Sequence, residues 1–279
     1  MVVRVVTDST ADLPPDLIER WGITVVPLTV HFGEETFRDG VDLGPDEFYR
    51  RLQASSVLPR TSQPSPGAFA EVYDRLARGH DEVLSIHISS KLSGTYSSAR
   101  QAKETMGVGR RIEVLDSAMV SLGLGLVVLE AARGAAKGLS LDEARGLAVR
   151  TLPTIRVACL LDTLDYLHKG GRVGKAAALL GSLLQVKPLI TVRDGEVHPL
   201  ERARTWQRAK ERLFQLVPQQ GVLSEVGVVY STDAEDADAL AHRIQAMPSH
   251  PSVTVGRFGP VLGTYVGPGA LGVAWREAP

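Results

Sequence analysis

Short runs of β-branched residues recur through the first half of the chain, each separated from the next by a helical stretch, and this alternation narrows the available folds. Val2–Val6 is such a run, and a strand that is apolar along its whole length buries both faces. Pro14 and Pro15 open a helix that Gly22 closes. Ile23–Phe32 is extended, and Gly33 to Gly44 forms a polar loop or small hairpin before a helix opened by Pro45. Ser65-Pro66 reads as an N-cap followed by a first-turn proline, with Gly79 ending that helix. Val83–Ile88 is the next strand. The polar loop Ser89 to Gly94 feeds a helix from about Ser93 to Met106, and Ile112–Asp116 is again a strand. Two helices follow, the second opened by the capping box Ser140-Leu141-Asp142-Glu143. Strands alternating with helices predict an α/β fold, with a parallel sheet covered by helices on both faces. Ligands of such sheets lie beyond the carboxyl ends of the strands. The polar segments Thr7–Thr10, Ser89–Thr95 and Asp116–Ser117 are therefore expected on one rim.

The second half follows a different pattern. Val157–Leu161 and Val186–Val192 read as strands, and Arg193-Asp194-Gly195-Glu196 is a two-residue hairpin turn returning into Val197–Ala203. A helix from Trp206 to Val217, a strand Val226–Ser231, a helix Ala234–Met247 and a strand Val253–Phe258 complete the pattern. A hairpin joined to strand-helix-strand units predicts an α+β layer with a mixed sheet. The expected division is an N-terminal α/β domain over residues 1–154 and a C-terminal α+β domain over residues 155–279.

Composition excludes several function classes. Lys and Arg number 31 against 32 Asp and Glu, and only 5% of residues are aromatic. Neither an electrostatic nor a stacking footprint for nucleic acid is present. Asp8 interrupts the first apolar run, and Glu130 lies inside the longest one, Val120–Ala132. A secretion signal and a membrane span of about 20 apolar residues are both unexpected. Cys159 is the single cysteine; it can form no internal disulfide and fits a reducing, cytoplasmic location.

No cofactor is expected. Gly267-Pro268-Gly269-Ala270-Leu271-Gly272 matches the dinucleotide fingerprint in letters, but no helix and second strand are available after it. In Gly170-Gly171-Arg172-Val173-Gly174-Lys175, Lys169 takes the first glycine slot of a phosphate loop and Ala176 replaces the Ser or Thr that would hold magnesium. The histidines lack metal-ligand spacing, one cysteine cannot build a thiolate site, and Ser93 lacks a nucleophile elbow.

Three clusters remain. Thr61-Ser62-Gln63-Pro64-Ser65 and Ser93-Gly94-Thr95 place hydroxyls and amides at helix starts, where a negatively charged oxygen is favoured. Simple capping is the competing explanation and suits Ser65 best; Thr61 lies too far before the helix to cap it. Gly259 to Gly269 carries four glycines in eleven residues, which marks either close backbone approach or a tight-turn connection. Arg172 either forms a structural ion pair or faces an anion.

Taken together, several segments resemble the DegV family of bacterial fatty-acid-binding proteins. They are Val5-Val6-Thr7-Asp8-Ser9-Thr10-Ala11-Asp12-Leu13, Thr61-Ser62-Gln63-Pro64-Ser65, Ser89-Ser90-Lys91-Leu92-Ser93-Gly94-Thr95-Tyr96, Gly171-Arg172, Lys187-Pro188-Leu189 and the late glycine-rich run, in order over essentially the whole chain. The resemblance implies a two-domain, lipid-binding protein that is not itself an enzyme. A long-chain fatty acid is its ligand, with the carboxylate at the inter-domain cleft and the tail in an apolar tunnel. In some members a separate fatty-acid kinase then phosphorylates the carboxylate. Carried over by position, Thr61, Ser62 and Ser93 hold the carboxylate, the Gly94 amide lies nearby and Arg172 sits beside them. Family members often have histidine where this chain has Tyr265, whose hydroxyl can donate but brings no positive charge. Val120–Leu129 either lines the tunnel or packs a helix on a sheet. Arg202 and Arg204, with period two on the return strand of the hairpin, are either contacts for the kinase or part of a solvated sheet face. Two rival readings stay open: an enzyme acting on an acyl or small phosphorylated substrate through Ser93 or Asp8, with His87 as a spatially close base, and a lipid-sensing regulator.

Overall fold

The computed structural model describes residues 2–77, 81–106, 111–180, 186–219 and 223–277. The first half runs β1 (Val3–Asp8), α1 (Pro15–Arg20), β2 (Thr24–Val26), β3 (Thr29–Phe32), β4 (Glu35–Arg38), α2 (Pro45–Ala54), β5 (Arg60–Ser62), α3 (Pro66–Ala77), β6 (Glu82–His87), α4 (Thr95–Thr105), β7 (Ile112–Asp116), α5 (Leu122–Ala136) and α6 (Leu141–Thr151). Strands β2-β1-β6-β7 form a parallel sheet in that order, as the strand–helix alternation predicts. The two faces of the sheet separate cleanly. Val6 and Val83 pack with Phe69, Tyr73 and Ala99 of α3 and α4, while Val5, Leu84 and Ile86 pack with α5 and α6. The capping box at α6 forms in full, and Ser65 caps α3 through a bond from the Ala68 amide. Gly79, read as the stop of α3, lies outside the described residues.

The extended stretch Ile23–Phe32 is in fact two strands in two sheets. It breaks at Pro27-Leu28, where proline has no amide to continue a ladder; β2 joins the parallel sheet and β3 pairs with β4 and β5 in a separate sheet ordered β4-β3-β5. The polar stretch after Phe32 resolves into the small hairpin β3–β4. This three-stranded sheet and α2 share a cluster of Leu28, Val30, Phe48, Tyr49 and Leu52 that also takes in Val261 from the far end of the chain.

The second half runs β8 (Ile155–Leu160), α7 (Asp165–Lys169), β9 (Lys187–Arg193), β10 (Glu196–Ala203), α8 (Trp206–Leu216), β11 (Leu223–Tyr230), α9 (Ala234–Gln245), β12 (Ser252–Arg257), α10 (Pro260–Val266) and β13 (Leu271–Glu277). One mixed sheet, β10-β9-β8-β13-β11-β12, takes all six strands. Only β11 and β12 run parallel; the other neighbours are antiparallel. At the hairpin, Asp194 and Gly195 both have positive φ, 52° and 78°, as a type I′ turn requires. Two elements depart from the sequence reading. The glycine-rich run holds the short helix α10, with Pro260 in its first turn, and Leu271–Glu277 is a central strand of the sheet. The turn glycines therefore lead into a strand, and a dinucleotide-type helix start is excluded there.

Buried carboxylates hold the seam between the two halves. Asp12 accepts from the Ser121 hydroxyl at 2.6 Å and from the Gly259 amide at 3.0 Å. Asp39 is buried beside Ser9 and Val261, with its Oδ2 lacking a hydrogen-bond partner among the described residues, so both acids lie at the start of α10. Burial pushes the Asp12 carboxyl well above its ordinary range against those two hydrogen bonds, and the nearby charges of Asp39 and Asp8 add to the rise. Burial likewise carries Asp39 up to about 6, opposed by the neighbouring Ser9 hydroxyl and Val261 amide. The folded protein thus holds the Asp39 proton more tightly than the unfolded chain does. The stabilisation from that proton is complete below the unfolded carboxylate value and is lost as pH rises through 6. Asp39→Asn removes this dependence. The stability of the variant relative to wild type, measured by urea unfolding, is expected to rise by up to about 3 kcal/mol between acid pH and pH 8. A constant difference across that range would show that Asp39 does not titrate in the seam.

Candidate functional site

A cavity of about 310 Å³ lies between the two sheets, at the small end of the roughly 300–1,000 Å³ typical of small-molecule sites. Most of its wall is aliphatic. Ile88 and Leu92 come from the rim of the parallel sheet, Leu122 and Gly123 from α5, Val157 and Ile190 from β8 and β9, and Val261, Leu262 and Val266 from α10. The stretch from Val120 divides between its two readings. Val120 to Gly123 line the cavity, whereas Leu124 to Leu129 are buried in the packing of α5. Cys159 also lines the wall, and burial pushes its thiol up to about 12. It stays protonated and serves as apolar surface rather than as a nucleophile.

Polar side chains gather in one part of this wall. Thr61, on β5, pairs opposite the buried Val30 and therefore shares its inward face. The Thr61 hydroxyl meets that of Tyr265 at 2.5 Å, a bond between residues from opposite halves of the chain. Ser93 ends the loop after β6, accepts from the Thr95 amide at 3.3 Å and meets the Thr95 hydroxyl at 2.8 Å. Arg172 lies over the Tyr265 ring, 5.2 Å from guanidinium carbon to ring centroid. It donates to the carbonyls of Leu92 at 3.3 Å and Gly170 at 2.8 Å. Thr61, Ser62, Ser93, Arg172 and Tyr265 thus all line one cavity. Gly94 does not line it; it borders a shallower adjoining groove that shares Ser93 and Arg172.

Two placements were not legible in the spacing. Neighbouring strand residues point to opposite faces, so Ser62 turns away from the face of Thr61, and its hydroxyl meets His31 Nε2 at 2.9 Å. Gln63 lines the cavity and folds over Gly94, where an added Cβ would lie 2.2 Å from its side-chain oxygen. The absence of a Cβ at Gly94 is what admits that amide. Arg202 and Arg204 are both exposed, but β10 ends at Ala203. Arg204 therefore lies one residue past the strand, while Arg202 donates to the Ala178 carbonyl at 3.1 Å.

The rim expected from the strand ends forms, with the Ser90 amide bonded to Asp116 at 3.2 Å, yet its members have different tasks. Asp8 is fully buried and accepts from the Ile88 amide and from Thr10. It also takes His87 Nδ1 at 2.9 Å, while Nε2 meets Ser85 at 2.6 Å and Tyr73 donates to Ser85. That chain of bonds assigns the proton of the imidazole to Nδ1. His87 is thus spatially close to Asp8, and it is committed to a closed structural network. Among the described residues lining the cavity, none is His, Asp, Glu or Lys; the adjoining groove, which Ser93 also borders, carries Lys91 and Glu196.

The fold and cavity are those of a two-domain protein, a parallel α/β layer joined to a mixed-sheet layer around an internal apolar space. A family model described as "Uncharacterised protein, DegV family" matches residues 2–278. The chain is 36% identical over 278 residues to a DegV domain-containing protein of Caldanaerobacter subterraneus, covering 99% of both. It superposes on a DegV family protein from Thermus thermophilus, described for its fatty acid binding, with a TM-score of 0.93, 35% identity and complete coverage of both chains. A stearic acid-binding protein from Eubacterium ventriosum matches with a TM-score of 0.91 at 28% identity, covering 99% of this chain and 98% of that one. The chain belongs to the DegV family. No helix among the described residues is long and apolar enough to cross a membrane.

The Tyr265 ring is seated by Gly170, where an added Cβ would lie 2.6 Å from one ring carbon and 3.0 Å from the Tyr166 carbonyl. Gly170→Ala must displace the ring from Thr61 and is expected to cost about 1–3 kcal/mol, as overpacking against a fixed neighbour does. Gly94→Ala meets only the mobile end of Gln63 and is expected to cost less than about 1 kcal/mol. Chemical denaturation of the two variants checks the order; equal losses would mean that Gly170 does not seat the ring.

Proposed function

We propose that the protein binds a long-chain fatty acid, with the tail in the cavity and the carboxylate among Thr61, Ser93 and Tyr265, where residues 1–154 meet residues 155–279 as two domains. The observation that carries the reading is the Thr61–Tyr265 hydroxyl pair, which joins β5 to α10 in a largely aliphatic wall that Ser93 of the β6–α4 loop also lines. A buried carboxylate is costly without donors, and hydroxyls from separate elements supply them. Each buried methylene of the tail contributes about 0.8 kcal/mol. Arg172 lies at the edge of this group, and Gly94 acts through the groove beside it. Ser62 contributes its proton when its hydroxyl accepts from His31 Nε2. Binding without catalysis is the role assigned to the protein, in keeping with the solved DegV relatives described for fatty acid binding. The chain acts in the cytoplasm in this reading, in keeping with a lone cysteine that remains a thiol.

Identification of lipid on the protein as purified, by native mass spectrometry after mild delipidation, tests the reading directly. A fatty acid mass is expected; turnover of an activated acyl ester without a partner would instead establish the enzyme alternative. Thr61→Ala and Ser93→Ala are each expected to weaken fatty-acid binding by about 1–3 kcal/mol, the cost of leaving an anionic oxygen short of a donor. Tyr265→Phe keeps the ring and removes only the hydroxyl, for a loss of about 0.5–1.5 kcal/mol, or up to 3 if the bond is to a charged oxygen. Unchanged affinity in the Phe variant would remove Tyr265 from the site.

The bound acid is presented to a separate fatty-acid kinase, with the exposed Arg202 and Arg204 as contacts. Reversing both charges is expected to abolish partner-dependent phosphorylation and leave fatty-acid binding intact. If binding falls equally, the arginines have no docking role.

A further inference from the structure

The polar part of the cavity is unusual in its charge. Among the described residues that line it, Arg172 is the only charged side chain. Its guanidinium already donates to two backbone carbonyls, lies over the Tyr265 ring and is exposed to solvent. A cation so placed is screened by water and salt and adds little to the binding of an anion. In the adjoining groove, Lys91 is turned toward Glu196 at 3.8 Å. The other polar side chains among the described lining residues are uncharged, and the hydroxyls of Thr61, Ser62, Ser93 and Tyr265 and the Gln63 amide can each both donate and accept.

Thr61 and Tyr265 share one hydrogen bond, so one of them donates to the other, and the pair presents a single remaining O–H together with open lone pairs. Ser93 accepts from the Thr95 amide and shares a further bond with the Thr95 hydroxyl, in which either oxygen can donate. A carboxylate is acceptor-only and uses just the free protons. A hydroxyl head uses a proton and a lone pair, and the pair of hydroxyls offers both.

We propose that this site also takes neutral long-chain lipids, and that a fatty alcohol binds with its hydroxyl at Thr61 and Tyr265 where an acid would place its carboxylate. The inference rests on the reading of the cavity as a fatty-acid site and extends it to a second class of ligand. Selection in this chain comes from the tail and from a hydrogen-bonding head, and the charge of the head counts for little.

Displacement of a fluorescent polyene fatty acid by palmitoleic acid and by palmitoleyl alcohol, both delivered from a cyclodextrin carrier, measures the two affinities on the delipidated protein. The alcohol is expected to bind within about tenfold of the acid, the scale of one neutral hydrogen bond. Thr61→Val and Tyr265→Phe are expected to weaken both ligands in parallel. An alcohol more than about a hundredfold weaker than the acid would overturn the inference and leave fatty-acid binding standing. An alcohol that binds equally well to wild type and to both variants would be held by its tail alone, which also overturns it. If the fluorescent acid does not bind at all, the fatty-acid reading fails. Native mass spectrometry with the alcohol then decides: a bound alcohol lost in Tyr265→Phe upholds the neutral head site, and an unbound one overturns it.

Discussion

A helix that is apolar on nearly every side can be stable in water only if something covers each side, and α5 meets that demand by lying between the two sheets. Its residues from Leu122 to Leu129 are buried without exception. It packs on β1 on one side and on β8, β11 and β13 on the other, so the two halves of the chain share one core. Close approach depends on missing side chains. A Cβ on Gly125 would lie 2.9 Å from the Ala11 carbonyl, and one on Gly123 would lie 2.6 Å from Val157. In the facing sheet, Gly227 and Gly256 leave the notch that Leu122 fills. The cavity borders the first turn of this helix, so its position follows from how closely α5 can seat against the two sheets.

Around that core the protein buries polar groups in two sets, of which the second leaves Asp39 Oδ2 without a hydrogen-bond partner among the described residues. In the first, Asp8, His87, Ser85 and Tyr73 satisfy one another at the carboxyl ends of β1 and β6. Such a chain resembles a catalytic relay in its residue types, yet Ser85 and His87 are fully buried, and each ring nitrogen has a protein partner. Its effect is to fix the strand ends from which the Ser89–Gly94 loop departs. In the second, Asp12 holds the start of α10 from across the seam, with Asp39 beside it. That helix brings Val261, Leu262, Tyr265 and Val266 to the cavity, so buried acids far from the hydroxyls still determine where the Tyr265 ring stands.

The α/β class, the hairpin and most helix starts were legible because each rests on local physics. β-branched runs, first-turn prolines, a Ser–Glu capping box and an Asp-Gly turn act within a few residues of themselves. The mixed sheet was anticipated too, although its central strand β13 was not, since a short apolar run after turn glycines carries no period that separates strand from core helix. The same limit explains α10: seven residues between glycines read as a turn until Phe48 and Tyr49 pack against Gly263 and Asp12 holds the Gly259 amide at its start.

Site chemistry divides in the same way. By itself the sequence determined which residue types stood available, Thr61, Ser93, Arg172 and Tyr265 among them, and the family to which they belong, because motif letters and their order survive without coordinates. Tertiary structure alone decided which of them meet. The pleat of β5 sends Thr61 inward and Ser62 toward His31; the bare Cα of Gly94 draws Gln63 into the wall. A bond joins Thr61 to Tyr265 across 204 positions of chain. Direction and contact between distant residues depend on strand pairing and on the packing of α5 and α10, and no local pattern in the chain encodes either.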